Sequence, residues 1–479
     1  MSGLRERLSR LRSPEAAAVA APALPAAGGE WALLGAHVAA SPAGSFVMRR
    51  RTYGADSIHG KYRLRELTDH VQELSSFHDR DAVVRAEDLL FFDTETTGLG
   101  VGTGNVPFLV GIGYYTGELF TVEQLFIRNP AEEHAMLVYL QELLERFTHI
   151  VSYNGRTFDW PILKNRYVLN RLKLNDSKLL QLDLLYASRS LWRNTLPSCR
   201  LSKVEESRLG FERVDDVPGS MAPTLYFQYL AEKNPAVLQG VFTHNEHDIV
   251  TLAALSIHFG KLLGGSVSHE AEGGDEPSRA LFGDDIELEE QFRTGLWLEK
   301  MGKTALAESV LDTLFDRLVH EPETLSSSHG GTHQAKVFTH SDEESIVLLL
   351  AAFYKKKAIY NRAVALWQRW IEAKSASIAL QLEAYLELAM YFEHREKNMH
   401  QALFYAEEAW AKLWRRRSLQ RSDSKHIQAE EALERRIRRL KEKLHKSEKA
   451  QTQQRAPKGT TPKPKTPRMK PIYVSEGLI

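Results

Sequence analysis

The 479-residue sequence contains one cysteine and no long apolar run. The single thiol, Cys199, excludes a disulfide framework and any zinc site that needs clustered cysteines, and it fits a reducing cytosol. No apolar stretch approaches the roughly 20 residues of a membrane span. The Ala-rich segment 16–27 is broken by Pro22 and Pro25, so it does not have the pattern of a secretion signal. We therefore expect a cytoplasmic protein that does not bind a membrane.

Acidic and basic residues balance overall but are unevenly distributed. The chain has 62 Lys and Arg against 62 Asp and Glu. From Trp410 to Lys470 there are 20 Lys and Arg and 6 Asp and Glu, which gives this segment a net charge of +14 and leaves an equal negative excess elsewhere. Such a segment would attract phosphate backbones non-specifically. A solubilising or ribosome-adhering tail would have the same composition.

Composition and periodicity divide the chain into regions of different character. Ala, Pro, Gly and Ser dominate the beginning, short β-rich runs alternate with helical periods in the middle, and the second half is almost wholly helical. The predicted ranges are a disordered Ala/Pro-rich leader at 1–45, an N-terminal extension at 46–85, an α/β domain at 86–263, a linker at 264–285, a helical domain at 286–410, and a basic helix with a disordered cationic tail at 411–479.

The α/β domain begins with three short apolar runs. "LLFFDTET" is too brief for a helix, and "FLVGIGYY" and "LFTVEQLFI" flank the turn signal Thr116-Gly117-Glu118, which predicts a hairpin. Helices are predicted over 130–147 and 157–172, each followed by a strand, "HIVSYNG" before the second helix and "LLQLDLLY" after it. Further helices fill 187–262. This order predicts a mixed sheet covered by helices.

Three segments of the helical half share a pattern of small residues. They are "KTALAES" at Ala305, "NRAVALW" at Ala363 and "HQALFYA" at Ala402, spaced 58 and 39 residues apart. The pattern is similar to degenerate tetratricopeptide-type hairpins, although the period exceeds the usual ~34 residues. A helical bundle without a true repeat is the alternative.

The strongest chemical signal is Asp93-Thr94-Glu95 at the end of the first strand of the α/β domain. Residues two apart on a strand point to the same side, so the two carboxylates would converge. A hard divalent cation such as Mg²⁺ or Mn²⁺ would compensate their repulsion. The alternative is a polar strand exit in which Asp93 and Thr96 bond to the turn at Gly98.

Two further segments supply carboxylates. "NGRTFDWPIL" places Asp159 at a helix start, where an N-cap would explain it equally well. "HNEHDIVTLAAL" places His244 and Asp248 four residues apart, so both lie on one helix face. For this segment, the alternative interpretation is a solvated helix start. The combination of the three segments is what favours a functional site.

Together these motifs resemble those of the DEDD-type exonucleases of the ribonuclease H-like superfamily, and more narrowly its bacterial YprB-like branch. The resemblance covers about residues 86–262 and implies a ribonuclease H-like mixed sheet flanked by helices, followed by an all-α, tetratricopeptide-like domain. It assigns Asp93 and Glu95 to the first motif, Asp159 to the second and Asp248 to the last metal carboxylate.

Other residues are placed less firmly by the resemblance. His244 lies four residues before Asp248, where one subclass has tyrosine, whereas the histidine-bearing subclass has its histidine five before. Whether His244 is the general base or a structural neighbour is therefore open. Asp183 and Asn154 are expected to support the site from behind. The residues expected to contact nucleic acid lie on the first strand and on the glycine-rich loop after it: Thr94, Gly98, Gly100 and Asn105.

The implied activity is metal-dependent hydrolysis. The resemblance implies two Mg²⁺ or Mn²⁺ ions and 3′-5′ exonuclease action on single-stranded DNA or RNA, and the sequence does not choose between the two polymers. The helical repeats are expected to offer a surface for a protein partner. The alternative from another functional class is a catalytically silent nucleic-acid-binding or scaffold protein that uses its repeats to recruit a partner.

Overall fold

The computed structural model describes residues 29–78, 83–98, 100, 104–266, 287–320, 340–373, 382–417 and 424–455. The chain divides into two compact units, 1–346 and 347–479. The predicted leader before residue 29, the predicted linker from residue 267 and the predicted tail after residue 455 lie outside the described residues. Among the helices that the structure describes, none combines the length and the apolar character needed to cross a membrane.

A seven-stranded mixed sheet forms the centre of the first unit, in the order β1-β2-β7-β6-β5-β8-β9. Strands β3 and β4 form a separate two-stranded hairpin. The strand bounds are β1 Ala36–Ser41, β2 Gly44–Tyr53, β3 Ile58–His59, β4 Tyr62–Arg63, β5 Leu89–Thr96, β6 Pro107–Thr116, β7 Leu119–Phe126, β8 His149–Ser152 and β9 Leu180–Asp183.

Helices cover both faces of the sheet. In the first unit they are α1 Glu66–His70, α2 Glu133–Leu144, α3 Asp159–Leu169, α4 Leu184–Trp192, α5 Leu201–Val204, α6 Ala222–Glu232, α7 Gln239–Leu263, α8 Leu288–Lys300 and α9 Thr304–His320. Helix α10, His340–Lys356, contains the boundary, and the second unit continues with α11 Tyr360–Ala373, α12 Glu383–His394, α13 Met399–Arg417 and α14 Ser424–Arg455. The predicted fold class, a mixed sheet flanked by helices and followed by an all-helical region, is confirmed.

Alternation along β5 explains how its two faces are buried. Phe91 belongs to the core shared with α4 and α7, whereas Leu90 and Phe92 belong to the opposite core, shared with α2 and α6. All three side chains are essentially inaccessible. The strand is antiparallel to β6 and parallel to β8, so it is fixed on both sides. The predicted hairpin is also present, with Gly117 at φ +57° in the β6–β7 turn.

The sheet begins earlier than predicted. Residues 36–41 fall within the predicted leader, yet they form the edge strand β1, and β2 pairs with β7. Hydrophobic burial of Phe46, Val47 and Met48 and an ion pair between Arg50 and Glu123 hold these strands in place. The structure therefore differs from the predicted disordered leader over residues 29–45.

Two other predicted ranges differ from the structure. Helices α8 and α9 were assigned to the helical domain, but Trp297 and Val310 pack in the same core as Phe259 of α7, so this pair belongs to the first unit. The predicted basic helix was placed after residue 410, but residues 411–417 belong to α13, which begins at Met399, and residues 424–455 form α14.

Three helical hairpins share one internal register. Each has a residue of positive φ between its helices: Gly302, Ala358 and Lys397. The residues five, nine and twelve positions after each of these three are buried. They are Ala307, Leu311 and Leu314 in the first hairpin, Ala363, Trp367 and Trp370 in the second, and Ala402, Ala406 and Ala409 in the third. The predicted motif residues Ala363 and Ala402 fit this register, whereas Ala305 is exposed and Ala307 takes its place.

Candidate active site

The four predicted carboxylates line one cleft. Asp93 and Glu95 come from the end of β5, Asp159 from the start of α3, and Asp248 from the middle of α7. The cleft has a volume of about 240 Å³. Its other lining residues are Thr94, Thr96, Tyr153, Asn154, Phe158, Gly219 and Pro223.

The backbone of β5 accounts for the convergence of the first two acids. Asp93 and Glu95 lie on the same side of the strand, and the register against β6 shifts between Glu95 and Thr96. Asp93 accepts a hydrogen bond from Asn245 Nδ2 at 2.9 Å. Thr96 Oγ1 donates to the Gly98 carbonyl at 2.7 Å. The polar strand exit that we considered as an alternative therefore holds for Thr96 but not for Asp93.

Asp159 lines the cleft and does not cap its helix. It is the first residue of α3, the N-cap position is Phe158, and no side chain caps the helix. The hydroxyl of Thr94 donates to Asp159 Oδ1. The N-cap alternative for this residue is therefore wrong.

Burial and mutual repulsion raise the pKa values of three acids of the cleft. Burial raises the pKa of Asp93 well above its usual value, and the charges of Asp248, Asp159 and Glu95 raise it further, while the Asn245 hydrogen bond opposes them. Burial is also the largest cause of the raised pKa of Glu95, and the charges of Asp248 and Asp159 raise it further. Burial also raises the pKa of Asp159 to about 6 despite the Thr94 hydrogen bond.

The donor set suits a hard divalent cation. Carboxylate oxygens are the ligands that Mg²⁺ and Mn²⁺ prefer. Among the described residues, Glu95 has no hydrogen-bond or ion-pair partner, which is an unusual state for a side chain only 8% exposed. In the same part of the chain, no group of three or more His, Cys, Asp or Glu side chains is placed closely enough to hold a metal ion. The residues fit the cation in charge and donor type, and binding would require the carboxylates to move closer together.

Asp248 differs from the other three acids because it has an internal cation. Arg213 Nη2 lies 2.6 Å from Asp248 Oδ1, and Arg213 Nε lies 2.5 Å from Glu205 Oε2. The Arg213 side chain is 5% exposed. Glu205, fully buried, is also bonded by His59 and Thr251. Although burial lowers the pKa of Arg213, the charges of Asp248 and Glu205 outweigh it and raise that pKa above its usual value.

His244 lies beside the cleft and is oriented by a residue that sequence reasoning missed. Its Nδ1 is 2.9 Å from Asp216 Oδ2, and its Nε2 is 3.6 Å from Asp248 Oδ2. Because a carboxylate accepts, the contact favours a proton on Nδ1 and directs Nε2 towards Asp248. A side chain at Gly219 would place its Cβ 3.2 Å from Nε2, so glycine leaves this side of the ring open.

No sequence pattern marked Arg213 or Asp216. Both lie in "FERVDDVPG", between the short helices and α6, where charged residues follow one another without periodicity. A run of this kind is normally a solvated loop. Only the fold reveals that Arg213 and Asp216 point inward, to Asp248 and His244, whereas Glu212 and Asp215 are exposed.

Asp183 does not line the cleft but accepts hydrogen bonds from three backbone amides close to it. It caps α4 by accepting from the Leu185 amide, and it also accepts from the amides of Asn154 and Arg156 at 2.8 and 3.2 Å. Asn154 itself has φ +68° and lines the cleft. These bonds fix the turn between β8 and α3 that carries Asp159.

The residues predicted to contact nucleic acid divide into two groups. Thr94 lines the cleft and is bonded to Asp159. Gly98, Gly100 and Asn105 do not line it: the Asn105 side chain donates to the Gly100 carbonyl, and a Cβ at Gly98 would collide with Asn105 Oδ1 at 2.4 Å. These three residues therefore fix the base of the glycine-rich loop.

Two comparisons with known proteins agree with this fold. The sequence pattern of the RNase H superfamily matches residues 90–259. The chain is also 31% identical, over 369 residues, to the uncharacterised protein YprB of Bacillus subtilis (strain 168); the alignment covers 76% of this chain and 80% of that protein. The chain belongs to the family of this Bacillus protein, and its mixed sheet with the acidic cleft is an RNase H superfamily domain.

Proposed function

We propose that the protein is a metal-dependent nuclease that hydrolyses phosphodiester bonds of single-stranded nucleic acid from the 3′ end. The convergence of four carboxylates, three of which have no paired cation among the described residues, carries this proposal. An RNase H superfamily fold supports the nuclease class. The DEDD subtype and the 3′-5′ direction come from the resemblance of the motifs around Asp93, Asp159 and Asp248.

The acids have a common role and His244 a separate one. Asp93, Glu95, Asp159 and Asp248 would hold two Mg²⁺ or Mn²⁺ ions, which when bound would activate a water and neutralise charge on the phosphodiester. His244 Nε2 would accept a proton from the attacking water, and Asp216 would hold the ring by Nδ1. Thr94 keeps Asp159 turned into the cleft.

One observation favours a second candidate, a nucleic-acid-binding or scaffold protein without catalysis. Arg213 already neutralises Asp248, so the cleft holds one positive charge before any ion enters. The three hairpins of equal register support tetratricopeptide-like repeats, which would bind a protein partner in either case.

The two candidates separate in one assay. The full chain is incubated with 5′-labelled single-stranded DNA or RNA, each with an open or a blocked 3′ end, in Mg²⁺ or Mn²⁺. The nuclease proposal expects stepwise shortening of the open substrates and none with Asp93→Ala. Binding without cleavage of either polymer in either metal, by folded protein, would support the silent candidate.

A further inference from the structure

A row of buried polar groups crosses the sheet and ends at Asp93. Arg49 of β2, Gln124 of β7, Gly111 of β6 and Asp93 of β5 stand directly opposite one another on four neighbouring strands. Side chains in such a row share one face of the sheet. Arg49 and Gln124 are 6% and 1% exposed, so their polar groups need partners inside the protein.

Gly111 leaves a gap in this row, and Asn245 of α7 fills it. A Cβ at position 111 would lie 2.2 Å from Asn245 Oδ1, so only glycine admits the amide there. Asn245 is fully buried. It accepts from Gln124 Nε2 at 3.0 Å and donates to Asp93 Oδ2 at 2.9 Å.

The direction of every bond in the row is fixed by chemistry. A guanidinium can only donate hydrogen bonds, so the side-chain oxygen of Gln124 accepts from Arg49 Nη1, at 2.9 Å. The Gln124 nitrogen must then face acceptors, and it lies 2.7 Å from the Phe242 carbonyl. Asn245 therefore presents oxygen to Gln124 and nitrogen to Asp93, where an ionised carboxylate is the matching acceptor.

We infer that Arg49, Gln124 and Asn245 form a positioning relay that holds Asp93 in its metal-binding orientation. Arg49 is itself fixed by an ion pair with Glu246 at 2.8 Å. The relay starts on β2, outside the residues that match the RNase H superfamily. The N-terminal strands would thus contribute to the site as well as to the core. This inference rests on the proposed metal-dependent function.

The test measures Mn²⁺ affinity by thermal melting of the full chain, without a nuclease assay. Asn245→Leu removes the donor to Asp93 at similar volume, Gln124→Met removes the group that orients Asn245, and Gly111→Ala pushes Asn245 out of the row. Loss of such supporting bonds typically weakens metal binding about 10–100-fold. We expect about tenfold or more for Asn245→Leu and Gly111→Ala, and a smaller loss for Gln124→Met.

Gln291 provides a matched control. It is 1% exposed, accepts from Arg317 at 2.7 Å and donates to the Val310 carbonyl, so it repeats the chemistry of Gln124 in helix α8. Gln291→Met should lower the melting temperature about as much as Gln124→Met but leave Mn²⁺ affinity unchanged.

The combination of Gln124→Met with Asn245→Leu distinguishes a relay from two separate packing effects. If Gln124 acts through Asn245, the double variant binds Mn²⁺ no more weakly than Asn245→Leu alone. Additive losses would overturn the relay, as would wild-type affinity in folded Asn245→Leu and Gly111→Ala. Absence of any Mn²⁺ shift in the wild-type protein would instead refute the proposed metal function, and the relay with it.

Discussion

The guanidinium of Arg213 lies 2.6 Å from the carboxylate of Asp248, which is, within the part of the chain that the structure describes, the one acid of the cleft paired with an internal cation. The other three acids repel one another without such compensation, and their pKa values are raised. Asp248 and its three neighbours should therefore respond in opposite ways to the same chemical change, the loss of one negative charge.

The first prediction contrasts Asp93→Asn with Asp248→Asn in the metal-free protein. Asp93→Asn removes repulsion and should raise the melting temperature by a few degrees, whereas Asp248→Asn leaves Arg213 with one anion fewer and should lower it. Both should abolish the stabilisation by Mn²⁺, because each removes a ligand. Melting curves with and without Mn²⁺ check all four outcomes. Equal shifts of one sign in the metal-free variants would contradict the assigned charge balance.

The second prediction concerns pH. Because the pKa of Asp159 in the folded protein is about 6, above its usual 3.8, the native state binds a proton more tightly than the unfolded state. The stability that this contributes is present at about pH 4 and is lost as the pH rises through 6. In metal-free protein, the melting temperature of the wild type minus that of Asp159→Asn should therefore fall as the pH rises from about 4 through 6.

A carboxylate with the opposite shift serves as the control for the pH series. Although burial opposes it, bonding to Lys164 and Trp160 lowers the pKa of Asp176, so Asp176→Asn should remove stability that is present at neutral pH and lost towards acid. A wild-type minus Asp159→Asn difference that stays constant from about pH 4 to pH 8 would refute the raised pKa.

The third prediction tests the internal cation directly. Arg213→Met leaves the buried Glu205 and the half-buried Asp248 without their shared partner, and breaking a buried ion pair typically costs about 3–5 kcal/mol. A divalent ion beside Asp248 would replace part of the lost charge. The rise in melting temperature on adding Mn²⁺ should therefore be larger in Arg213→Met than in the wild type. A smaller rise would mean that Arg213 helps to build the metal site and does not compete with it.

The sequence was informative where the chemistry was local. The strands β5 to β9 were predicted from short apolar runs, and the four acids of the cleft were predicted from three short motifs, because each motif contains its acidic residues within a few positions. The strand β2 was missed because Arg49, Arg50 and Arg51 form a charge run that suggests solvent. In the fold, Arg49 bonds to Gln124 and Glu246 inside the core.

The residues that the sequence could not reveal act through long-range contacts. Asp216 is 28 positions from His244, and Asn245 is 152 positions from Asp93. Neither pair has a spacing that periodicity can detect. Such partners can be identified only from the folded structure, in which helix α7 packs against the sheet.

The fourth prediction concerns His244 and Asp216. If His244 Nε2 accepts the proton of the attacking water, His244→Ala should lower kcat about 100-fold or more with little change in KM. Asp216→Asn should lower kcat by a smaller factor, because the ring remains but is oriented less well. His247→Ala is the matched control on the same helix, where the half-buried ring packs against Phe211, and kcat should be unchanged. An equal fall in kcat in all three variants would indicate that His244 has only a structural role.

The fifth prediction concerns the cationic C-terminal segment. Helix α14 cannot simply be deleted, because Leu440 packs with Ala402 and Ala406, and the buried Glu393 is paired with Arg439 and Lys443. Residues 456–479 can be removed without touching these contacts.

Truncation after Arg455 removes five Lys and Arg and one Glu, a net charge of +4. If these charges contact phosphates, affinity for single-stranded nucleic acid should fall at low salt, and the slope of log affinity against log salt should become shallower by up to about 3. Binding isotherms at several salt concentrations measure both. Replacement of the five Lys and Arg residues by Ser in the full-length chain should have the same effect on affinity and salt slope as the truncation, because the effect depends on charge and not on chain length. An unchanged slope in both variants would assign the tail to another role, such as solubility.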